Sequence, residues 1–322
     1  MKKIFGVLAA AFLLVCCSEG KQEKQNVDSL KIIVWNIQNG MWSDQGNNYN
    51  NFVAWVKSYD PDVCIWCESR SNYQTGKETY TTDNQVYLPD GWEKLAQRYG
   101  HKYWAKGGHR DRFPQVMTSK YPIKTLQRII GNEPDSIVTH GAGHFKIKVN
   151  DKDINFISVH TWPQRYAYGI DPSEIDSNIA ANGGDYYRLM ELTYICKHTI
   201  GKAADPKNEW WLMAGDFNAE SSLDNDKYNY QLPDTRFLVH DYILGNTPYK
   251  DVIKEKYPNE FKSTTFWDNR IDFVYCSPAM MKNVTYADVV RDYWTSILMQ
   301  DPETSFKHPS DHRPIMLTVQ ID

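Results

Sequence analysis

The chain has 322 residues, 41% of them hydrophobic and 24% charged, a balance that fits a globular body of one large domain or two ordinary ones. Its formal charge is −4, which argues against a protein devoted to gripping nucleic acid through its phosphates, since such proteins usually carry a basic surface. Eleven Trp and 21 Tyr make a heavy aromatic load, most of it expected in the core and the remainder free to line a groove.

The first segment is not expected to belong to the fold. Lys2 and Lys3 precede an apolar run from Ile4 to Val15, the charged and hydrophobic parts of a secretory signal. The run is shorter than the roughly 20 residues that a membrane-spanning helix needs. It ends in Leu14-Val15-Cys16-Cys17-Ser18, which resembles a bacterial lipobox. That resemblance implies a signal peptide over 1–16 and a lipid on Cys17, the alternative being a plain secretion signal with incidental cysteines. Residues 17–29 are polar and rich in Lys, Gln and Glu, as a flexible tether would be. Removal of Lys2 and Lys3 makes the mature chain more acidic still.

From residue 30 no repeat, low-complexity stretch or linker divides the chain, so 30–322 reads as one domain. Runs rich in β-branched and aromatic residues predict strands at Leu30–Trp35, Val63–Cys67, Gln115–Thr118, Gly143–Val149, Ile154–Val159, Trp210–Ala214, Ile271–Cys276 and Ile315–Ile321. Two helices are legible between them. In Tyr49–Tyr59 the apolar positions 49, 52, 53, 56 and 59 share a face, and Asp60-Pro61 ends the run. In Tyr186–Ile200 the positions 186, 189, 190, 193, 196 and 200 predict a second amphipathic face. Cys64 and Cys67 spell C-x-x-C, but they lie inside an apolar strand rather than at a helix start, and no second pair exists to complete a zinc site. They are expected as core. Strands that outnumber helices and often follow one another directly suit two sheets packed face to face with helices outside.

Candidate reactive residues stand where strands give way to polar turns. Asn36 follows the first strand, Glu68 the second and His160 the fifth. Asp216 and Asn218 lie in Gly215-Asp216-Phe217-Asn218, Asp272 lies in Arg270-Ile271-Asp272, and Asp311 and His312 lie in Ser310-Asp311-His312-Arg313-Pro314. Singly, each is as well explained by turn chemistry. Their joint presence, in order, is the signal.

That ordered set resembles the endonuclease/exonuclease/phosphatase superfamily, the group of DNase I-like nucleases and related phosphoesterases, over Leu30 to Ile321. The matching segments also include Val34-Trp35-Asn36-Ile37, Pro61-Asp62-Val63 through Glu68, Ser119-Lys120-Tyr121-Pro122-Ile123, and Val159-His160 with Arg188 on the helix beyond. The resemblance implies an α/β fold of four layers, α/β/β/α, with two mostly antiparallel sheets and the site at one edge. It also implies a hydrolase of phosphate esters that uses Mg²⁺ or Mn²⁺, a hard cation suited to carboxylate and amide oxygens. Glu68 is the expected principal metal ligand, with Asn36 beside it and Asp311 as a further candidate. Asp216 is expected to orient or deprotonate the attacking water, Asn218 and His160 to contact phosphoryl oxygens, and His312, polarised by Asp311 or Asp272, to stabilise the transition state.

The substrate is less legible. Segments Tyr73–Asn84 and Thr161–Asp185, the latter with Trp162, Tyr166 and Tyr168, are expected above the site as specificity elements. Segment His101–Lys120 carries five Lys or Arg against one Asp, interleaved with Tyr103, Trp104 and Phe113, which fits either an electropositive patch for a polyanion or a solvated face. The leading expectation is a phosphodiesterase of nuclease type acting outside the cytoplasm as a monomer, with a phosphate ester such as nucleic acid as its partner and the membrane reached through the N-terminal lipid. The alternatives are a sphingomyelinase-like or inositol-phosphate hydrolase and, in a different class, a catalytically inactive binding lipoprotein.

Overall fold

In the computed structural model the described residues are 27–70, 91–108, 113–130, 137–163, 184–227, 236–296 and 309–321. The leader, Cys17, the segment 73–84, Tyr166 and Tyr168 lie outside them. The chain opens with β1 (Ser29–Asn36), and its side chains alternate between two cores. Leu30, Ile32 and Val34 join one apolar cluster while Ile33 and Trp35 join another. A strand buried on both faces reads as a continuous apolar run. The folded body begins slightly before residue 30, inside the expected tether: Ser29 is already in β1, and the Val27 backbone exchanges two hydrogen bonds with the Asn150 side chain.

Helix α1 (Asn50–Tyr59) then lays Phe52, Val53, Trp55 and Val56 against the outer face of that sheet. It stops at Asp60, whose φ of 47° is left-handed and whose N–H returns to Val56 and Lys57, just before Pro61. The remaining elements are β2 (Val63–Cys67), α2 (Gly91–Arg98), β3 (Tyr103–Lys106), β4 (Val116–Ser119), β5 (Lys124–Ile129), β6 (Ala142–Val149), β7 (Lys152–His160), α3 (Asp185–His198), β8 (Trp210–Asp216), α4 (Leu238–Asn246), β9 (Lys250–Asp251), β10 (Asp272–Cys276), β11 (Val284–Val289) and β12 (Ile315–Gln320). Short helical turns lie between some of them.

One sheet has the order β11-β12-β1-β2-β4-β3 and the other β5-β6-β7-β8-β10-β9. Each is antiparallel except for one central parallel pair, β1 with β2 and β7 with β8. The two sheets meet over a core that includes Ile32, Val34, Ile65, Phe156, Leu212, Val274 and Leu317. A second core seats α1 and α2 on the first sheet, and a third seats α3 and α4 on the second. The result is the four-layered α/β/β/α sandwich.

Helix α3 departs from its expected face. Tyr186 is 51% exposed, and the buried stripe is Asp185, Arg188, Glu191, Leu192, Ile195 and Cys196. Apolar periodicity misplaced the stripe because three of its members are charged and are buried with partners. Strands β3, β5, β9 and β11 and helices α2 and α4 were not anticipated. Strands β3 and β5 are edge strands with mostly exposed or half-exposed side chains, so they lack the alternation that marks a half-buried strand. Cys64 and Cys67 are fully buried in β2, and burial pushes both thiols well above their usual pKa.

Candidate active site

The parallel pairs decide where the polar residues meet. Asn36 ends β1 and Glu68 follows β2, while His160 ends β7 and Asp216 ends β8. The two pairs run to the same edge of the sandwich: Asn36 Nδ2 donates to Asp216 Oδ2 at 2.9 Å and also lies 3.2 Å from Glu68 Oε1. Antiparallel neighbours feed the same edge from their starts. Asp272 opens β10 directly opposite Asp216, and His312 precedes β12, whose Ile315 faces Val34.

Backbone conformation is bent to this end. Gln38, Asn39, Gly40 and Met41 all have positive φ, as do Glu68 and Asn218. Such residues cost of order 1–3 kcal/mol each when they are not glycine, and they persist where surroundings over-determine them. Here the left-handed turn aims the Asn39 N–H at Glu68 Oε2, 2.9 Å, and the Gly40 N–H at the Glu68 carbonyl, 2.6 Å. Gln38 Oε1 accepts from the Asp311 N–H, and Ser310 Oγ donates to the Asn36 carbonyl while accepting from the His312 N–H. The β1 and β12 ends are thereby stitched together around the pocket.

His312 Nδ1 lies 2.8 Å from Asp272 Oδ2, whereas Asp311 Oδ1 is 3.9 Å from Nε2. Of the two partners left open by sequence, Asp272 is the one that holds the ring. Burial alone would depress the His312 pKa, but Asp272, Asp216 and Asp311 outweigh it and raise it well above the usual imidazole value. The surrounding carboxylates thus favour the charged form of His312. His160 is the opposite case: burial, then the neighbouring His140, lower its pKa to about 3. Its Nδ1 faces the Phe113 carbonyl at 3.3 Å and its Nε2 lies 3.7 Å from Asp216 Oδ2. Burial, then Asp272, raises the Asp216 carboxyl, whose Oδ1 accepts from the Asn218 N–H at 2.8 Å. Burial, then Asp311, lifts Glu68 to about 7.

Four carboxyl groups, Glu68, Asp216, Asp272 and Asp311, surround this one imidazole. That excess of buried oxygen donors fits a hard divalent cation. Asp216, Asp272 and His312 bring possible ligand atoms within 4.8 Å of one another. The carboxylates of Glu68 and Asp311 add hard oxygen donors beside them, and Asn36 braces the group, its Nδ2 turned to Glu68 and Asp216 and its Oδ1 accepting from the Gln38 N–H at 3.0 Å. Glu68 and Asp311 are also the partly exposed members of the cluster, and so form its mouth.

Two arginines of the recognised motifs lie apart. Arg270 is buried between Asp224 and Asp251, and Arg188 binds Asp185 and the carbonyls of Trp162 and Pro163. Both brace backbone that carries site residues. The expected basic patch over 101–120 is partly neutralised: Lys120 pairs with Asp60 and Asp62, and His101 is buried against Thr118 and the Pro61 carbonyl. Sequence alone did not single out Gln38, Thr161 or His140. The first two act through hydrogen bonds to residues distant in sequence, Gln38 to Asp311 and Thr161 to Asp216, Phe217 and Asn218, and His140 sits in a glycine-rich stretch with no motif around it.

No protein-family sequence model matches the chain, and no curated protein matches it by sequence. Solved structures do. An AP endonuclease from Archaeoglobus fulgidus superposes with a TM-score of 0.60 at 17% identity, over 91% of this chain and 100% of that one. D. rerio TDP2 in complex with a single-strand DNA product gives 0.54 at 15% identity, over 90% and 98%. The human Nocturnin catalytic domain with a bound sulfate anion gives 0.53 at 13%, over 92% and 96%. The chain therefore has the DNase I-like fold, the fold of the endonuclease/exonuclease/phosphatase superfamily that its motifs resemble.

Proposed function

We propose that this chain is a metal-dependent phosphodiesterase of nuclease type, exported and held to a membrane by a lipid on Cys17. The observation that carries the catalytic part is the junction at the sheet edge, where Asn36 bridges Glu68 and Asp216 while Asp272 holds His312 beside them. The similar structures support it, since one holds a single-strand DNA product and another a sulfate anion.

Glu68 and Asp311, with Asn36 bracing Glu68, would hold Mg²⁺ or Mn²⁺, which when bound neutralises charge on phosphoryl oxygens and helps place a nucleophilic water. The protein's own groups then divide the work. Asp216, fixed by Asn36 and the Asn218 N–H, takes the proton of the attacking water; its raised proton affinity makes it a stronger base than a free carboxylate. His312 Nε2 lies 3.8 Å from Asp216 and 3.9 Å from Asp311, beyond hydrogen-bond reach of both, so its proton serves a phosphoryl oxygen. Asn218 gives one Nδ2 proton to the Thr161 carbonyl at 3.0 Å and keeps the second for the substrate. His160 stays neutral and lines the phosphoryl site, its Nε2 3.7 Å from Asp216 Oδ2. The P–O bond to the leaving alcohol breaks, and solvent protonates the departing alkoxide.

The formal charge of −4 favours a phosphodiester lipid of no net charge, such as sphingomyelin, as the second reading. A panel of DNA, RNA, sphingomyelin, inositol phosphates and bis-p-nitrophenyl phosphate, assayed with Mg²⁺ and with EDTA, tests the reading. Cleavage of DNA or RNA that EDTA abolishes supports it. Activity confined to the lipid or inositol substrates replaces the nuclease assignment, and activity undiminished by chelator removes the metal.

A further inference from the structure

His140 lies far in sequence from every recognised motif, yet its ring stacks on the catalytic His160 with centroids 4.3 Å apart and planes 33° apart. It is 2% exposed. Phe113 and Trp162 flank it with ring centroids at 5.2 and 5.6 Å. Its backbone is pinned from three directions. Gln115 Nε2 donates to the His140 carbonyl at 3.1 Å, and Gln115 Oε1 accepts from the Gly108 N–H at 3.1 Å. Gly141, at φ +81°, closes so tightly that a Cβ there would stand 2.3 Å from the Ile129 carbonyl oxygen. On the other side, the wholly buried Glu191 of α3 accepts from the Thr139 N–H at 2.7 Å, the Thr139 hydroxyl at 2.5 Å and the Trp162 N–H at 2.9 Å. One carboxylate therefore ties the residue before His140 to the residue two beyond His160.

Burying a carboxylate is costly unless its hydrogen bonds are met, and an apolar residue at position 191 would fill a helix face more cheaply. A carboxylate that spends both oxygens on two separate segments fixes their relative position. What that position fixes is the orientation of His160. Among the described residues its one hydrogen bond is a long Nδ1 contact, 3.3 Å to the Phe113 carbonyl, too weak to hold its plane alone. The His140 face supplies the remaining constraint.

We propose that His140 is a positioning residue for His160, clamped in place by Glu191, and that it keeps His160 Nε2 turned toward Asp216 and the phosphoryl group. This inference rests on the phosphodiesterase reading. The experiment is a double-mutant cycle on kcat and KM for bis-p-nitrophenyl phosphate with Mg²⁺, using His140→Ala, His160→Ala and the pair, with His140→Phe and Glu191→Gln beside them. Thermal melts and Leu192→Ala, a core change under the same helix, serve as the packing control.

His140→Ala is expected to lower kcat about tenfold with KM within about threefold, and His140→Phe, which restores a flat ring, to recover most of it. In the His160→Ala background His140→Ala should change kcat less than twofold. Glu191→Gln, which turns one acceptor into a donor facing the Trp162 N–H, should reproduce the His140→Ala defect, and it keeps the test decisive if His140→Ala fails to fold. Wild-type kcat in His140→Ala or in Glu191→Gln, independent multiplication of the two histidine effects, or an equal kcat loss in Leu192→Ala overturns the inference and leaves the phosphodiesterase reading standing. A wild-type protein inactive on every phosphate ester removes both.

Discussion

Glu68 joins stability to function in one side chain. Burial, then Asp311, lifts its carboxyl from the usual 4.5 to about 7, so between those values the folded protein holds a proton that the unfolded chain releases. Stability of the metal-free protein therefore falls as pH rises from about 4.5 to about 7, and the full penalty persists above that window. Glu68→Gln removes that pH dependence, although its amide sets a donor against the Asn39 N–H or the Asn36 Nδ2. Its stability relative to the wild type should therefore rise by about 2 kcal/mol from pH 5 to pH 8 in the metal-free protein, discounted for the group's partial exposure. Denaturant melts at the two pH values check this. No rise between them would mean that Glu68 is better solvated than its surroundings indicate. The same substitution should cost at least a hundredfold in kcat/KM, the pattern of a site that trades stability for chemistry. His312→Ala should lower kcat by about 10² to 10³, as loss of a transition-state donor does, and should also lower the melting temperature, because it leaves the buried Asp272 carboxylate without its partner. An active variant would remove the assigned role.

At the scale of elements, the site depends on how closely β7 and β8 approach. Gly215 has φ +144°, and a Cβ built on it would lie 1.9 Å from the Val159 carbonyl oxygen. No shift of a flexible side chain relieves a clash with backbone. Gly215→Ala should therefore part the strands that carry His160 and Asp216, destabilising the protein by more than about 3 kcal/mol; a melt within about 1 kcal/mol of wild type would contradict that packing. The strands that carry site residues are legible because each is an apolar run bounded at the site edge by a polar turn, and Val63–Cys67 followed by Glu68 is the plainest case. The edge strands β3 and β5 are not, because exposed strands take polar residues freely. Helix α3 misled for a different reason. Its buried face includes Arg188 and Glu191, charged groups whose burial becomes intelligible only when Asp185, Thr139 and Trp162 are seen around them. The choice between Asp272 and Asp311 as partner of His312 was likewise a matter of distance, which no spacing along the chain encodes.

For the whole molecule, the order of the motifs along the chain matters because the topology folds that order onto a single edge. The C-terminal ends of two parallel strand pairs and the starts of their antiparallel neighbours β10 and β12 all arrive there. No described helix is long and apolar enough to cross a membrane; the proposed attachment is the lipid on Cys17. Cys17→Ala should move the protein from the membrane fraction to the soluble one, and its continued sedimentation with membranes would point to another anchor. The central claim is that the oxygen-rich cluster forms a cation-requiring pocket for a phosphodiester. Hydrolysis of bis-p-nitrophenyl phosphate, followed as EDTA-stripped enzyme is titrated with Mg²⁺ or Mn²⁺, tests it most directly. Turnover should be absent without metal and recover saturably on its addition, and Glu68→Gln should show no such recovery. Full turnover in the stripped enzyme, or metal recovery undiminished in Glu68→Gln, would contradict it.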